Sequence, residues 1–576
     1  MKNKSIVVLM FAAATSLLSA CGGGTSSSSN PANTTSKTSA SVSSGTITAF
    51  GSVFVNGHEF STSGATVIDD DSGTTTNSTA GLEVGDVVDV IPASDSTDAH
   101  PDARELHIHP LVRGYVDSSD TAGAMATVMG QSVQITASTL FSDHRACVTD
   151  TTNPCTAITD QSGLTATTGT GGSTVAGNYI TVHGYLYSDA NGGAATNANI
   201  VATLIAIGDA PSSNQEKVAF KAEGVVSAIN GTKLAIGGLS VDLATAKCFA
   251  KGMTSDCAAA FKTGEVVSTF AAAAPTLPAT DFTADVARLS GKLPASVAGL
   301  TLEIVGVVSS VTNSPAGFVV RGVNIDATGL PAGTTLPAVG DVVKVEGTVS
   351  SDDKSVLASS VKILRAAASK YYKFVGDETN VVAGADANTY VVTLLGQDIT
   401  VNDTTILKDR SSLDWSKQDP TSNPFNINTF QSYLTGSASH HVVVNAMADA
   451  SGKLTAMSVS IVPTSTVSSV AGQVDADPAP VNSSTTGTPS TFAVHGVAVN
   501  ADPTAVIQPG GSQATVAAGD KALVVGTYTA GSLTITAPKS SSSVVVIFST
   551  SGPIPVVNPD PIPLPLPTPG GSQGIM

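Results

Sequence analysis

His107-x-His109 is the pair best suited to hold a metal ion in this 576-residue chain. Residues two apart on a strand face the same way, so both imidazoles could reach one divalent ion, with His100 close by. The competing reading is two solvent-facing histidines on an edge strand. His440-His441 cannot share a face within a strand and is a poorer ligand pair. Asp69-Asp70-Asp71-Ser72-Gly73 offers oxygen ligands, but it lacks the spacing and distal glutamate of a calcium loop and reads as a solvated acidic turn. Trp415, Phe425, Phe430 and Tyr433 gather in one insertion of a chain otherwise poor in aromatics. Exposed, these rings could bind by stacking on sugars or anchoring a protein partner; buried, they form a miniature core. Nucleophile-elbow, phosphate-loop and His-Glu-x-x-His patterns are missing from the sequence, so no catalytic residue is nominated.

The cysteines carry a different chemistry. Residues 1–20 have a basic end at Lys2 and Lys4, an apolar run and small residues before Cys21, the form of a signal peptide ending in a lipobox. Cleavage before Cys21 and acylation of its thiol would give lipidation strong enough to anchor the chain to a membrane. Gly22, rather than aspartate, follows the cysteine and points to the outer membrane. The other four cysteines fall as local pairs, Cys147 with Cys155 and Cys248 with Cys257, each in a loop after a strand. In an oxidising compartment these are expected to be two disulfides, each stabilising its loop by about 2–3 kcal/mol. Zinc is the lesser alternative, since the spacing does not match common sites.

The elements that would position these groups are short strands. Thr46 to Phe50 and Ser52 to Asn56 alternate small or polar with apolar residues, and Asn56-Gly57 is a strong hairpin-turn pair leading into Glu59-Phe60-Ser61. Strands at Gly64 to Ile68, Asp86 to Val90 and Glu105 to Ile108 follow, enough to close an OB-like barrel. The run GTITAFGSVFVNG, the following FSTSGATV and the later VGDVVDV resemble the bacterial repeat family named domain of unknown function 5666. That resemblance implies a compact β-fold in cell-envelope proteins and no catalytic residues.

A first-strand glycine recurs at Gly45, Gly114, Gly224, Gly306, Gly376 and Gly472, and a later Gly followed by Asp, Glu or Asn recurs at Gly85, Gly177, Gly264, Gly340 and Gly519. The fifth copy has His440-His441 where that second mark should be. The chain is therefore all-β, with a Gly/Ser/Thr-rich flexible tether at 21–44 and modules at 45–111, 112–210, 220–290, 302–366, 371–463 and 468–548. Each module is expected to complete its own barrel before the next begins, in a beaded row. A Pro-rich tail at 549–576 should be extended.

Charge narrows the function. The net charge is −18, and 45 acidic residues face 25 basic ones once Lys2 and Lys4 are removed with the leader. An acidic, aromatic-poor surface repels phosphate backbones, so no nucleic-acid partner is expected despite the OB-like fold. The same scarcity of aromatics argues against a membrane-spanning barrel. The expectation is a non-enzymatic lipoprotein of the cell envelope, structural or ligand-binding, without cofactors. Its partners would be the membrane, through Cys21, and an envelope polysaccharide or protein. A hydrolase with its site at the module 5 insertion and a metal-binding protein using His107 and His109 are the alternatives.

Overall fold

The computed structural model describes residues 42–50, 52–93, 100–121, 124–136, 139–169, 173–186, 200–211, 218–249, 257, 260–290, 299–351, 355–366, 370–411, 425–435, 440–485, 488–508, 511–529, 531–536 and 542–548. Cys21, Trp415 and the Pro-rich tail lie outside these residues.

Module 4 shows the shared plan. Its strands are Thr301–Asn313, Ala316–Val320, Val323–Asp326, Val342–Val349 and Ser355–Arg365. Strand one pairs with two and four, two with three, three with five and five with four, which closes the barrel. Strands three and five run parallel; the other pairs are antiparallel. This is the five-stranded OB-like barrel expected from the sequence. The other modules repeat the scheme from first strands at Val42–Phe50, Val112–Asp120, Phe220–Asn230, Lys370–Ala383 and Ser468–Gln473. Module 1 therefore begins at Val42, three residues inside the stretch read as tether.

The recurrent glycines have a geometric cause. Strand one must leave strand four and bend onto strand two, and it does so at a bulge two residues after its glycine. Register shifts at Ile47/Ala49, Val116/Ser118, Val226/Ala228, Val308/Ser310 and Glu378/Asn380 mark it in five modules. The inserted residue is tied down by its side chain. Ser227, Ser309 and Thr379 donate to carbonyls of strand two at 3.1–3.3 Å, whereas Asp475 accepts from the turn amides of His495 and Gly496.

In four of the five modules that carry it, the second mark caps this bulge; in module 2 the amide of Gly177 instead donates to the Thr167 hydroxyl at 3.2 Å. Gly85, Gly264, Gly340 and Gly519, all at positive φ, donate to the carbonyls of Ile47, Val226, Val308 and Val474 at 2.8–2.9 Å. The acid that follows accepts the amide three residues before it, as Asp341 does from Ala338 at 2.8 Å. In module 5 the exchange is reversed, and Glu378 on strand one accepts the amide of His440 at 2.7 Å.

Modules join in pairs. Phe374 lies opposite Val470 across modules 5 and 6, and Ala222 opposite Val112 across modules 2 and 3, both in antiparallel register. Module 1 pairs with module 4 instead of its chain neighbour: Val42, Ser43 and Ser44 run parallel to Leu302, Glu303 and Ile304. The described strands thus form three large sheets, one per pair, in place of the expected row in chain order. Both cysteine pairs are bonded, with Cα atoms 5.2 Å apart for Cys147 and Cys155 and 5.6 Å for Cys248 and Cys257. Cys248 sits within the strand Lys247–Phe249 and not in the loop after one.

A methyl group at Gly224 would come within 2.6 Å of the buried Ile236 Cγ2, whereas one at Gly81 would meet open space. We expect Gly224→Ala to lower stability by about 1–3 kcal/mol in urea denaturation. Gly81→Ala should change it by less than about 0.5 kcal/mol. Equal effects would refute the role given to the first-strand glycine.

Candidate functional site

The acidic turn after Ile68 is the centre of a cluster of charges drawn from modules 1 to 4. Asp69 stays at the surface and closes the turn, accepting the amide of Asp71 at 2.9 Å. Asp70 and Asp71 turn inward, which corrects the expectation of a solvated turn. They help line a cavity of about 230 Å³ with residues from modules 1 to 4, among them Asp89, His109, Lys221, Glu223, Arg288 and Arg321.

The Asp71 side chain is fully buried and draws cations from two other modules. Lys221 Nζ lies 2.8 Å from its Oδ1, Arg288 Nη2 2.9 Å from the same oxygen, and Arg113 Nη2 3.8 Å from Oδ2. Lys221 is 1% exposed; it also reaches Glu223 at 3.1 Å and donates to the Pro110 carbonyl at 2.5 Å. Glu223 accepts from Ser268 at 2.6 Å and Ser290 at 2.7 Å. Arg288 stacks on the Phe270 ring at 4.7 Å and donates to the Asp70 carbonyl at 2.5 Å.

His107 and His109 share a face, as strand alternation requires, and turn it onto Asp70. Nδ1 of His107 lies 2.8 Å from Asp70 Oδ1, and Nδ1 of His109 3.2 Å from Oδ2. Their other nitrogens face Glu105 at 3.3 Å and Asp89 at 2.8 Å. Asp89 in turn is held by Ser44 and Arg321, the latter from module 4. Burial disfavours charge on these groups, but the opposite charges prevail. Both histidines are held above their usual range by Asp70 and Asp89, and Asp70 is held below its own. Both nitrogens of each imidazole are already engaged by carboxylates. Among the described residues, no group of three or more His, Cys, Asp or Glu side chains is placed to hold a metal ion.

Two smaller clusters also sit where modules meet. Lys344 of module 4 bonds Glu303 at 2.7 Å, approaches Asp403 of module 5 at 3.5 Å and donates to the Asn56 carbonyl at 3.2 Å; His58 bonds the same Glu303 at 3.0 Å. At the module 1 and 2 boundary, Glu83 receives His144 at 2.8 Å and Ser142 at 2.9 Å. Beside it, His183 Nδ1 lies 3.3 Å from Asp86 without a hydrogen bond. Burial pushes Asp86 up to about 7 and His183 down to about 3, so the imidazole is uncharged near neutral pH and the contact is not an ion pair.

Among its described residues, the module 5 insertion holds no comparable set. Phe425 and Phe430 are 0% exposed and stack at 5.6 Å between centroids, while Tyr433 donates to Asp409 at 2.5 Å. The first two rings are core and offer no face to a sugar. His440 and His441 pair separately, with Glu378 at 3.5 Å and Asp377 at 2.7 Å.

Lys221, Glu223 and Arg288 were missed in the sequence. Phe220-Lys221-Ala222-Glu223 alternates apolar and charged residues, the pattern of a half-exposed strand. Module 1 covers the charged face, and nothing local to Lys221 encodes that neighbour.

Two stretches of the chain are similar to a known family. Residues 42–92 and 305–362 match the family described as domain of unknown function 5666. These stretches lie in modules 1 and 4, the two that pair through their first strands. No curated protein matches the chain.

Removing one partner of a buried ion pair strands the other. We expect Asp71→Ala to destabilise the fold by about 3–5 kcal/mol in equilibrium denaturation; a change under about 1 kcal/mol would show the cluster to be solvated. The histidines give a pH signature. Because their folded pKa values are raised, their contribution is full below the unfolded value near 6.5 and is lost as pH climbs through the folded value. The denaturation midpoint should therefore fall between pH 6 and pH 9 (about three units around the histidine range), and by less in a His107→Gln/His109→Gln variant. An identical slope in both proteins would exclude the assignment.

Proposed function

We propose that this chain is an exported lipoprotein, acylated at Cys21 and attached to the outer membrane, whose barrels serve as a non-catalytic structural or binding scaffold of the cell envelope. The observation that carries the reading is how the reactive side chains are used. The acids, histidines and lysines that could have formed an active site or metal centre are instead paired with one another, several of them across module boundaries. A chain organised this way invests its polar chemistry in holding modules together and leaves recognition to the barrel surfaces. Its partners would be a membrane, through the acylated cysteine, and an envelope polysaccharide or protein. Nucleic acid is a poor fit, given the net charge of −18.

The anchor can be tested in cells. Wild-type chain should incorporate labelled palmitate and sediment with membranes, and Cys21→Ser should lose the label and move to the soluble fraction. Equal labelling and sedimentation of the two proteins would sink the reading.

A further inference from the structure

Lys221 and Asp71 are positioned as the two halves of an amide. The amine of Lys221 on the module 3 first strand lies 2.8 Å from a carboxylate oxygen of Asp71 in module 1, and the Asp71 side chain is fully buried. Glu223 stands 3.1 Å from the same amine, and the Phe270 ring covers it at 5.3 Å. We propose that Lys221 and Asp71 condense into an intramolecular isopeptide bond, with Glu223 relaying the protons, so that module 3 is covalently joined to module 1.

The atoms balance without any external reagent. Glu223 takes a proton from the Lys221 ammonium, and the freed amine attacks Cγ of Asp71. A new C–N bond forms as one C–O bond breaks. The departing oxygen leaves as water, carrying two of the three ammonium protons, both relayed through Glu223, which ends as it began. The third proton remains on the amide nitrogen.

The two Asp71 oxygens are differently placed for this. Oδ1 receives Arg288 Nη2 at 2.9 Å, so this oxygen keeps its stabilising donor and becomes the amide carbonyl. Oδ2 has no hydrogen-bond partner, its cation Arg113 being 3.8 Å away, and it is the oxygen that leaves. The cavity lined by Asp71, Lys221 and Glu223 lies alongside to take the water.

Two physical effects favour the product. Holding amine and carboxylate in contact makes the step unimolecular, and fixed neighbours of this kind give effective concentrations far above any attainable in solution. Condensation also removes one positive and one negative charge from a site where each is held away from water. The Lys344 cluster lacks this setting. Its side chain is 14% exposed, and its close carboxylate, Glu303 at 2.7 Å, is shared with His58. The bond needs nothing from a lipid anchor at Cys21.

Mass spectrometry of the full chain decides the matter. With disulfides reduced, the wild-type protein should be lighter than its sequence requires by one water, and a proteolytic digest should contain one branched peptide joining the segment with Asp71 to the segment with Lys221. Glu223→Gln should restore the missing water and lose the branched peptide. Wild-type protein at its full mass, or a deficit that maps to other residues, overturns the proposal. A Glu223→Gln chain that is still fully linked overturns the relay assigned to that residue.

Discussion

A small barrel closes only if its first strand can serve two diverging neighbours, and the bulge two residues beyond the first-strand glycine is what allows it here. Several recurrent features of the modules answer to that bend. The glycine gives room where strand two crosses; the inserted Ser, Thr or Asp reaches across to the partner strand; the positive-φ glycine before strand four donates back to the bulged carbonyl. Barrels with unlike cores and loops can then share one frame, because the frame is set by backbone geometry and a handful of small side chains.

Where barrels meet, geometry gives way to charge. Burying ions is unfavourable unless each is closely paired, so a junction such as Asp71 with Lys221 and Arg288 tolerates little sliding. Apolar contacts could hold the modules with comparable strength but would accept many relative placements. The acidic turn of module 1, the hairpin tip at Asn56-Gly57 and the loop at Glu83 together reach modules 2 to 5, which makes module 1 a shared contact for the others.

The frame was readable in the sequence because it depends on local rules. Glycine spacing, the Asn56-Gly57 turn and alternating strands all act over a few residues, and they locate the barrels. The partnered hairpin tips of later modules, Met129-Gly130, Arg321-Gly322, Leu395-Gly396 and His495-Gly496, take the same left-handed turn but lack the asparagine that makes module 1 obvious. What stayed hidden was long-range. His107 and His109 could be placed on one face, yet that Asp70 would meet them depends on a parallel strand pairing within module 1. The burial of Asp71 depends on modules 2 and 3, over a hundred residues away in places, as the separation of 150 residues from Lys221 shows.

The parallel pairing of Val42 to Ser44 with Leu302 to Ile304 also sets an order of assembly. Ser43 and Glu303 are 260 residues apart, so the amino end of the first barrel stands as an open sheet edge while two further barrels are made. Open edges invite stray strands and aggregation. The waiting segment reads Val-Ser-Ser-Gly, and three of its four residues are small with little apolar surface, which makes it a poor trap until its own partner arrives.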